Sequence, residues 1–156
     1  MKMKRPKICM ACCPGGHFAE LRLATKDIDE SKFDIYWLMF KSEHLSEFLS
    51  TRKHHFVMNV IPDKKWTWVV NALQSLWYLM KERPDCIIST GSGMAYPSIF
   101  FGKFFLKCKV IYICSAADVT SPSRTPERAY GHSDLFCVQW PEMMKVFPDA
   151  KYIGVL

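Results

Sequence analysis

Twice in this chain a short apolar run stops on glycine and gives way to a segment of helical composition, and few folds accommodate that arrangement. Lys7-Ile8-Cys9-Met10-Ala11-Cys12-Cys13 ends on Pro14-Gly15-Gly16, after which Phe18 to Asp27 carries apolar residues at Leu21, Leu23 and Ala24. Asp85 to Thr90 ends on Gly91-Ser92-Gly93 and is followed by the Phe-rich stretch Tyr96 to Leu106, where Pro97 falls in the first helical turn. Each is a strand, a glycine turn and a helix in succession.

The same alternation extends through the rest of the chain. Phe33 to Phe40 and His55 to Ile61 read as strands flanking a polar, helical Glu43 to Thr51. From Trp66 to Arg83, the residues Trp66, Val69, Val70, Leu73, Trp77 and Met80 recur every three or four positions, so this segment is an amphipathic helix that Pro84 ends. Lys109 to Cys114 is the next strand, then a loop holding Pro122 and Pro126, a strand over Leu135 to Gln139, a short helix over Pro141 to Phe147 and a last strand over Tyr152 to Leu156. Strands alternating with helices predict a doubly wound parallel sheet of Rossmann-like α/β class, with ligands outside the carboxyl ends of the strands, where both glycine turns lie. With 156 residues the chain is expected to form one domain over 1–156, too short for two complete α/β lobes.

Composition narrows the function classes. A chain 49% hydrophobic and 23% charged, with five Trp and eleven Phe, is built for a packed core and not for disorder. Its net charge of +6 is spread over short clusters, Met1 to Arg5, Lys64-Lys65 and Lys103 to Lys109, which suits an anionic surface or a phosphorylated ligand. Nucleic acid is not expected, because no zinc-finger spacing, RNP-like strand or basic recognition helix gives that charge a docking geometry. The seven cysteines are odd in number and mostly within apolar runs, so reduced, buried thiols are expected. Cys9 and Cys12 form a C-x-x-C, but within a strand and without a second ligand pair, so no metal site or cofactor is expected. Met1 to Lys7 is basic yet leads into only a short apolar run, so neither a signal peptide nor a membrane span is read there and a cytoplasmic location is expected.

The candidate chemistry lies at the two turns. Gly15 and Gly16 open a helix whose free N–H groups and dipole can receive a phosphate or diphosphate. Ser89, Thr90, Gly91, Ser92 and Gly93 repeat the pattern and surround it with hydroxyls, and two facing turns suit a phosphorylated ligand better than one. G-x-G-x-x-G is absent, and a Gly-Gly by itself also serves simply to bend the chain. His17 projects at the mouth of the sheet, where an imidazole can act as a general base toward an acceptor hydroxyl, or can simply bond local backbone. Glu20 either caps the helix start, the commoner role, or orients His17 as part of the catalytic pair. Trp66, Trp68 and Trp77 near Lys64, Lys65, Lys81 and Arg83, together with Phe104 and Phe105 among lysines, have the composition of a peripheral membrane contact, although such stripes also serve as core.

Gly15-Gly16-His17-Phe18-Ala19-Glu20-Leu21, Asp85 to Gly93 followed by Pro97, Ser121-Pro122-Ser123, and Asp134 to Met143 form an ordered set spanning nearly the whole chain. Together they resemble the oligosaccharide-biosynthesis family whose eukaryotic member anchors the second GlcNAc transferase of dolichol-linked glycan assembly, and more nearly its bacterial capsule and exopolysaccharide relatives. The resemblance implies the N-terminal, acceptor-side half of a GT-B glycosyltransferase, with a separate small catalytic subunit supplying the C-terminal half. It implies inverting transfer from a UDP-sugar to a polyprenyl-diphosphate-linked saccharide at the cytoplasmic membrane face. It assigns a site role to Gly15, Gly16 and His17, whose counterparts line the active site of the related lipid-intermediate GlcNAc transferase of cell-wall synthesis. Two positions depart from the pattern: Cys114 stands where the family leads us to expect Glu, and Asp118 near where it leads us to expect Arg. The apolar Val155 and Leu156 become a contact for the partner. Two other readings stay open: a self-sufficient binder or enzyme for a nucleotide or phosphate ligand, and an inert membrane scaffold.

Overall fold

The computed structural model describes Arg5–Leu156, so Met1 to Lys4 of the basic N-terminal cluster lie outside the described residues. Seven parallel strands form one sheet in the order β3-β2-β1-β4-β5-β6-β7. They are β1 Lys7–Cys12, β2 Asp34–Met39, β3 His54–Phe56, β4 Cys86–Gly91, β5 Lys109–Ile113, β6 Leu135–Val138 and β7 Lys151–Tyr152. The helices are α1 Gly16–Ala24, α2 Ser46–Ser50, α3 Lys65–Glu82, α4 Tyr96–Phe104 and α5 Arg124–Tyr130.

From β1 the chain winds outward through β2 and β3, then crosses back to β4 on the other side of β1 and continues outward to β7. The direction of winding therefore reverses between β1 and β4, the position where a doubly wound sheet opens a crevice at its carboxyl edge. These are the two strands that end in the glycine turns.

Alternating side chains fill a core on each face of the sheet. Ile8, Met10 and Cys12 of β1 pack with Phe18 and Leu21 of α1 and with Trp37 and Met39 of β2. Cys9 and Ala11 face the opposite layer, with Leu79 of α3 and Ala95 at the start of α4. Cys9 and Cys12 thus lie on opposite faces, and all seven cysteines are free thiols.

Three segments differ most from the sequence reading. The strand expected over His55 to Ile61 stops at Phe56. Beyond it, the Met58 N–H donates to Gln74 Oε1 and the Met58 carbonyl accepts from Asn71 Nδ2, each at 2.6 Å, while the Ile61 N–H donates to Thr67 Oγ1 at 3.0 Å. Side chains of α3 thus satisfy that backbone in place of a strand ladder. The loop expected around Pro122 and Pro126 contains α5, because Pro126 is the third residue of that helix, where a missing N–H costs no helical bond. The last strand stops at Tyr152, and Gly154 turns away with φ +78°.

Those α3 contacts fix which side of the helix faces the sheet. Thr67, Asn71 and Ser75 are completely buried, whereas Trp66, Val69, Leu73, Trp77 and Met80 are each more than half exposed. The helix is amphipathic as the spacing predicts, but its apolar stripe points outward and its small polar residues point in. Phe104 at the end of α4 and Phe105 after it continue the exposed apolar surface.

At the amino edge of the sheet, buried Glu82 receives Lys53 Nζ at 2.6 Å and Lys7 Nζ at 2.9 Å on one oxygen and His55 Nε2 at 2.8 Å on the other. Burial alone would raise this carboxyl; the bonds from Lys53, Lys7 and His55 outweigh it and bring the pKa down to about 2.

Candidate active site

The first glycine turn leaves β1 through Gly15, whose φ of +100° only glycine adopts without strain, and α1 begins at Gly16. Among the described residues, the backbone N–H groups of Gly16, His17 and Phe18 meet no acceptor, so the start of this nine-residue helix presents three donors at the crevice.

The second turn lies beside it. Gly91 has φ +108°, and a side chain there would place its Cβ 2.5 Å from the Tyr112 hydroxyl and 3.6 Å from Cε1 of His17. Gly93 is confined less tightly: a Cβ would lie 3.0 Å from the Trp68 ring. Trp68 is therefore half-buried against the turn, whereas Trp66 and Trp77 remain on the outer surface. Ser89 and Thr90 are buried with their hydroxyls already engaged: Ser89 Oγ accepts from the Gly91 N–H at 3.1 Å, and Thr90 Oγ1 donates to the His17 carbonyl at 2.6 Å. Their hydroxyls shape the turns, leaving the backbone of Ser92 and Gly93 nearer the opening.

His17 is partly exposed, and its Nδ1 lies 3.9 Å from Glu20 Oε2. Both atoms are buried and have no hydrogen-bond partner among the described residues. The other Glu20 oxygen accepts from the Ala116 N–H at 2.8 Å and from Ser115 Oγ at 3.1 Å. Glu20 therefore does not cap α1, whose start carries no side-chain cap; it anchors the loop after β5 and points its second oxygen at the imidazole. A proton on Nδ1 directed toward that carboxylate leaves Nε2 as the basic nitrogen.

Asp118 completes the loop, with Oδ1 accepting from the Ser123 N–H at 3.0 Å. Burial pushes its carboxyl up; the Ser123 bonds and the His17 charge work against that. Tyr112 lies below Gly91, stacked on Phe136 at 5.2 Å, and burial raises its phenol well above the ordinary value. Among the described residues no three His, Cys, Asp or Glu side chains converge as metal ligands. Tyr112 and Ser115 to Ala117 carry no local sequence signature. They enter the site through strand register, since Tyr112 pairs with Ser89 across β4 and β5.

A family model described as "Oligosaccharide biosynthesis protein Alg14 like" matches residues 8–156. The chain belongs to this family. The Alg14-like assignment agrees with similarity to the UDP-N-acetylglucosamine transferase subunit alg14 of Schizosaccharomyces pombe, 23% identical over 91% of this chain and 79% of that one. The subunit of the same name from Rattus norvegicus is 23% identical over 90% of this chain and 78% of its own length. The expectation of a glycosyltransferase subunit is borne out at the level of the family.

Among solved structures, Acinetobacter baumannii MurG matches with a TM-score of 0.75 at 13% identity, over 96% of this chain and 46% of that one. UDP-N-acetylglucosamine 2-epimerase from Rickettsia bellii matches with a TM-score of 0.74 at 12% identity, over 97% and 45%. These likenesses establish the fold, and the chain spans about half the length of the solved structures it matches. Where this Alg14-like chain departs from the expected pattern, Cys114 is buried in the core with its thiol pushed far up by burial. In this chain it is Glu20, from across the crevice, that bonds the adjoining loop.

Val155 and Leu156 are both exposed at the carboxyl edge beyond β7. The Leu156 N–H donates to Gln139 Oε1 at 2.9 Å, which fixes this segment against the end of β6.

Proposed function

We propose that the chain is the acceptor-side, membrane-associated subunit of a two-subunit inverting glycosyltransferase, moving a sugar from a UDP-sugar to a polyprenyl-diphosphate-linked saccharide. The observation that carries this reading is the meeting of two glycine turns at the β1–β4 crevice with His17 between them. The three free N–H groups at the start of α1 suit a diphosphate, and the curated relatives' naming as transferase subunits supports a two-subunit enzyme over a self-sufficient one.

In this mechanism His17 Nε2 takes the proton of an acceptor hydroxyl while Glu20 holds the opposite side of the ring. The oxygen forms its bond to the anomeric carbon from the face opposite UDP, the carbon–oxygen bond to the β-phosphate breaks, and the electron pair leaves with UDP. The relatives' names make UDP-N-acetylglucosamine the first donor to test. A capsule or exopolysaccharide setting rests on the sequence resemblance alone.

The membrane contact is the outward stripe of α3 with Phe104 and Phe105, flanked by Lys64, Lys65, Lys81, Arg83 and Lys107. No helix of the described residues is long and apolar enough to cross a bilayer; in this reading the stripe lies flat on the membrane, at its cytoplasmic face. Because Trp68 packs on Gly93, the stripe begins beside the second glycine turn, within reach of a lipid-borne diphosphate. The small catalytic subunit docks on Val155 and Leu156.

Purification of the tagged chain from membranes tests the assembly, with transfer from UDP-sugar to a lipid-linked acceptor assayed with and without the companion. The reading expects a stoichiometric small subunit that restores transfer, and a loss of about a hundredfold or more in the His17→Ala complex. Unchanged turnover in that variant would establish the inert-scaffold alternative, and UDP-sugar binding by the solitary chain would favour the self-sufficient one.

A further inference from the structure

Gln139 and Trp140 follow β6 with polar groups turned inward, and the glycosyltransfer reading makes no use of them. Gln139 is 1% exposed, yet both ends of its amide are bonded. Its Nε2 donates to the Cys114 carbonyl at 2.9 Å while its Oε1 accepts from the Leu156 N–H at 2.9 Å. Next to it, Trp140 Nε1 donates to the Ala116 carbonyl at 2.7 Å. Two carbonyls of the loop after β5 are therefore held from one side by this pair.

The opposite side of the same loop holds the catalytic candidate. The Ala116 N–H and the Ser115 hydroxyl fix one oxygen of Glu20, whose other oxygen faces His17. The Ala116 peptide is bracketed by Trp140 on its carbonyl and Glu20 on its N–H. A continuous series of short bonds thus runs from Leu156 through Gln139 to Cys114, and through the Ser115–Ala116 peptides to Glu20. A buried amide bonded at both ends has one acceptable position, so displacement of either neighbour leaves a buried polar group unpaired.

We propose that Gln139 and Trp140 are positioning residues for the transferase, setting Glu20 against His17, and that Gln139 ties their placement to the Ile153–Leu156 segment on which the catalytic subunit docks. The proposal rests on the glycosyltransfer reading, both for the role of His17 and for the docking surface. A partner that holds Leu156 in place also holds Cys114, and with it the loop that carries the Glu20 contact. Assembly and site geometry are coupled through one side chain.

The test uses the assembled two-subunit complex. Trp140→Phe keeps an aromatic side chain while removing the indole N–H together with the volume of its five-membered ring, and Gln139→Met keeps the length and removes both bonds. Trp140→Phe is expected to lower kcat about tenfold with KM for donor and acceptor within about twofold, and to move the acid limb of the pH–rate profile that reports the His17–Glu20 pair. Gln139→Met is expected to do the same and also to weaken partner affinity by about tenfold. Wild-type kcat and pH profile in Trp140→Phe, while His17→Ala is inactive, would overturn the proposal and leave the glycosyltransfer reading standing. Full turnover in His17→Ala would instead remove the reading on which it rests. Should Gln139→Met fold poorly, Trp140→Phe decides the positioning claim. The coupling claim is then decided by Leu156→Ala, which keeps the backbone bond to Gln139 but loosens the partner's hold on the segment: it is expected to weaken partner affinity and to move the pH profile of the assembled complex in the same direction as Trp140→Phe, and weakened affinity with an unmoved profile would overturn it.

Discussion

The Thr90 hydroxyl donates to the His17 carbonyl at 2.6 Å, so the two glycine turns are joined by a bond between the residue that precedes one and the residue that follows the other. Thr90→Val keeps the shape and leaves that carbonyl without its partner. Denaturant unfolding is expected to report a loss of about 1–2 kcal/mol, and the assembled complex to lose turnover about tenfold with donor KM little changed.

Gly91 is confined by two separate effects, its positive φ and the Tyr112 oxygen 2.5 Å from where a Cβ would stand. Gly91→Ala is expected to destabilise by about 3 kcal/mol, combining backbone strain with overpacking. Adding Tyr112→Phe removes the clashing oxygen and not the strain. The double variant should therefore recover part of the loss in thermal unfolding, and simple additivity would show that the hydroxyl is not the obstruction.

The α3 stripe allows two opposite substitutions to be compared. Leu73→Glu and Trp77→Glu change residues 64% and 66% exposed, so unfolding stability should stay within about 0.5 kcal/mol while sedimentation with anionic vesicles is lost. Asn71→Leu makes the buried face more apolar and is expected to cost about 2 kcal/mol, because the Met58 carbonyl loses its donor. Vesicle binding unchanged by both glutamates would exclude the stripe as the contact.

Acid sensitivity should originate far from the crevice. The folded Glu82 carboxyl titrates near pKa 2, below its ordinary value of 4.5. Its depressed pKa contributes stability that is fully present above the unfolded value and is lost as pH falls from about 4.5 toward 2. Wild-type unfolding free energy should decline through that window, and Glu82→Gln should flatten the decline while lowering stability at neutral pH by about 2–3 kcal/mol.

The sheet and both glycine turns were legible because strand-to-helix units repeat a local pattern, and in β1 and β4 that pattern agrees with burial. The reading failed where side chains replaced a ladder. His55 to Ile61 has strand composition, and nothing within it reveals that Asn71 and Gln74 will claim the Met58 backbone. Periodicity found the α3 stripe but not its direction, since Thr67, Asn71 and Ser75 look like a solvent face until their backbone partners are known. In the site, His17 and the glycines are local features of the chain. Glu20 was legible as a residue but not in its contact, because Ala116 lies 96 positions away and meets it only through the order of β1, β4 and β5.

The inward polar face of α3 separates two demands usually written on the same residues. In most helices the apolar stripe both drives folding and sets adhesion, so neither can change alone. Here Asn71, Gln74 and Thr67 bond the 58–61 backbone and Leu79 packs in the core, while Trp66, Leu73 and Trp77 face only what lies outside. The outward stripe is thus free to drift between lineages, or to be redesigned, while the sheet and its crevice stay as they are.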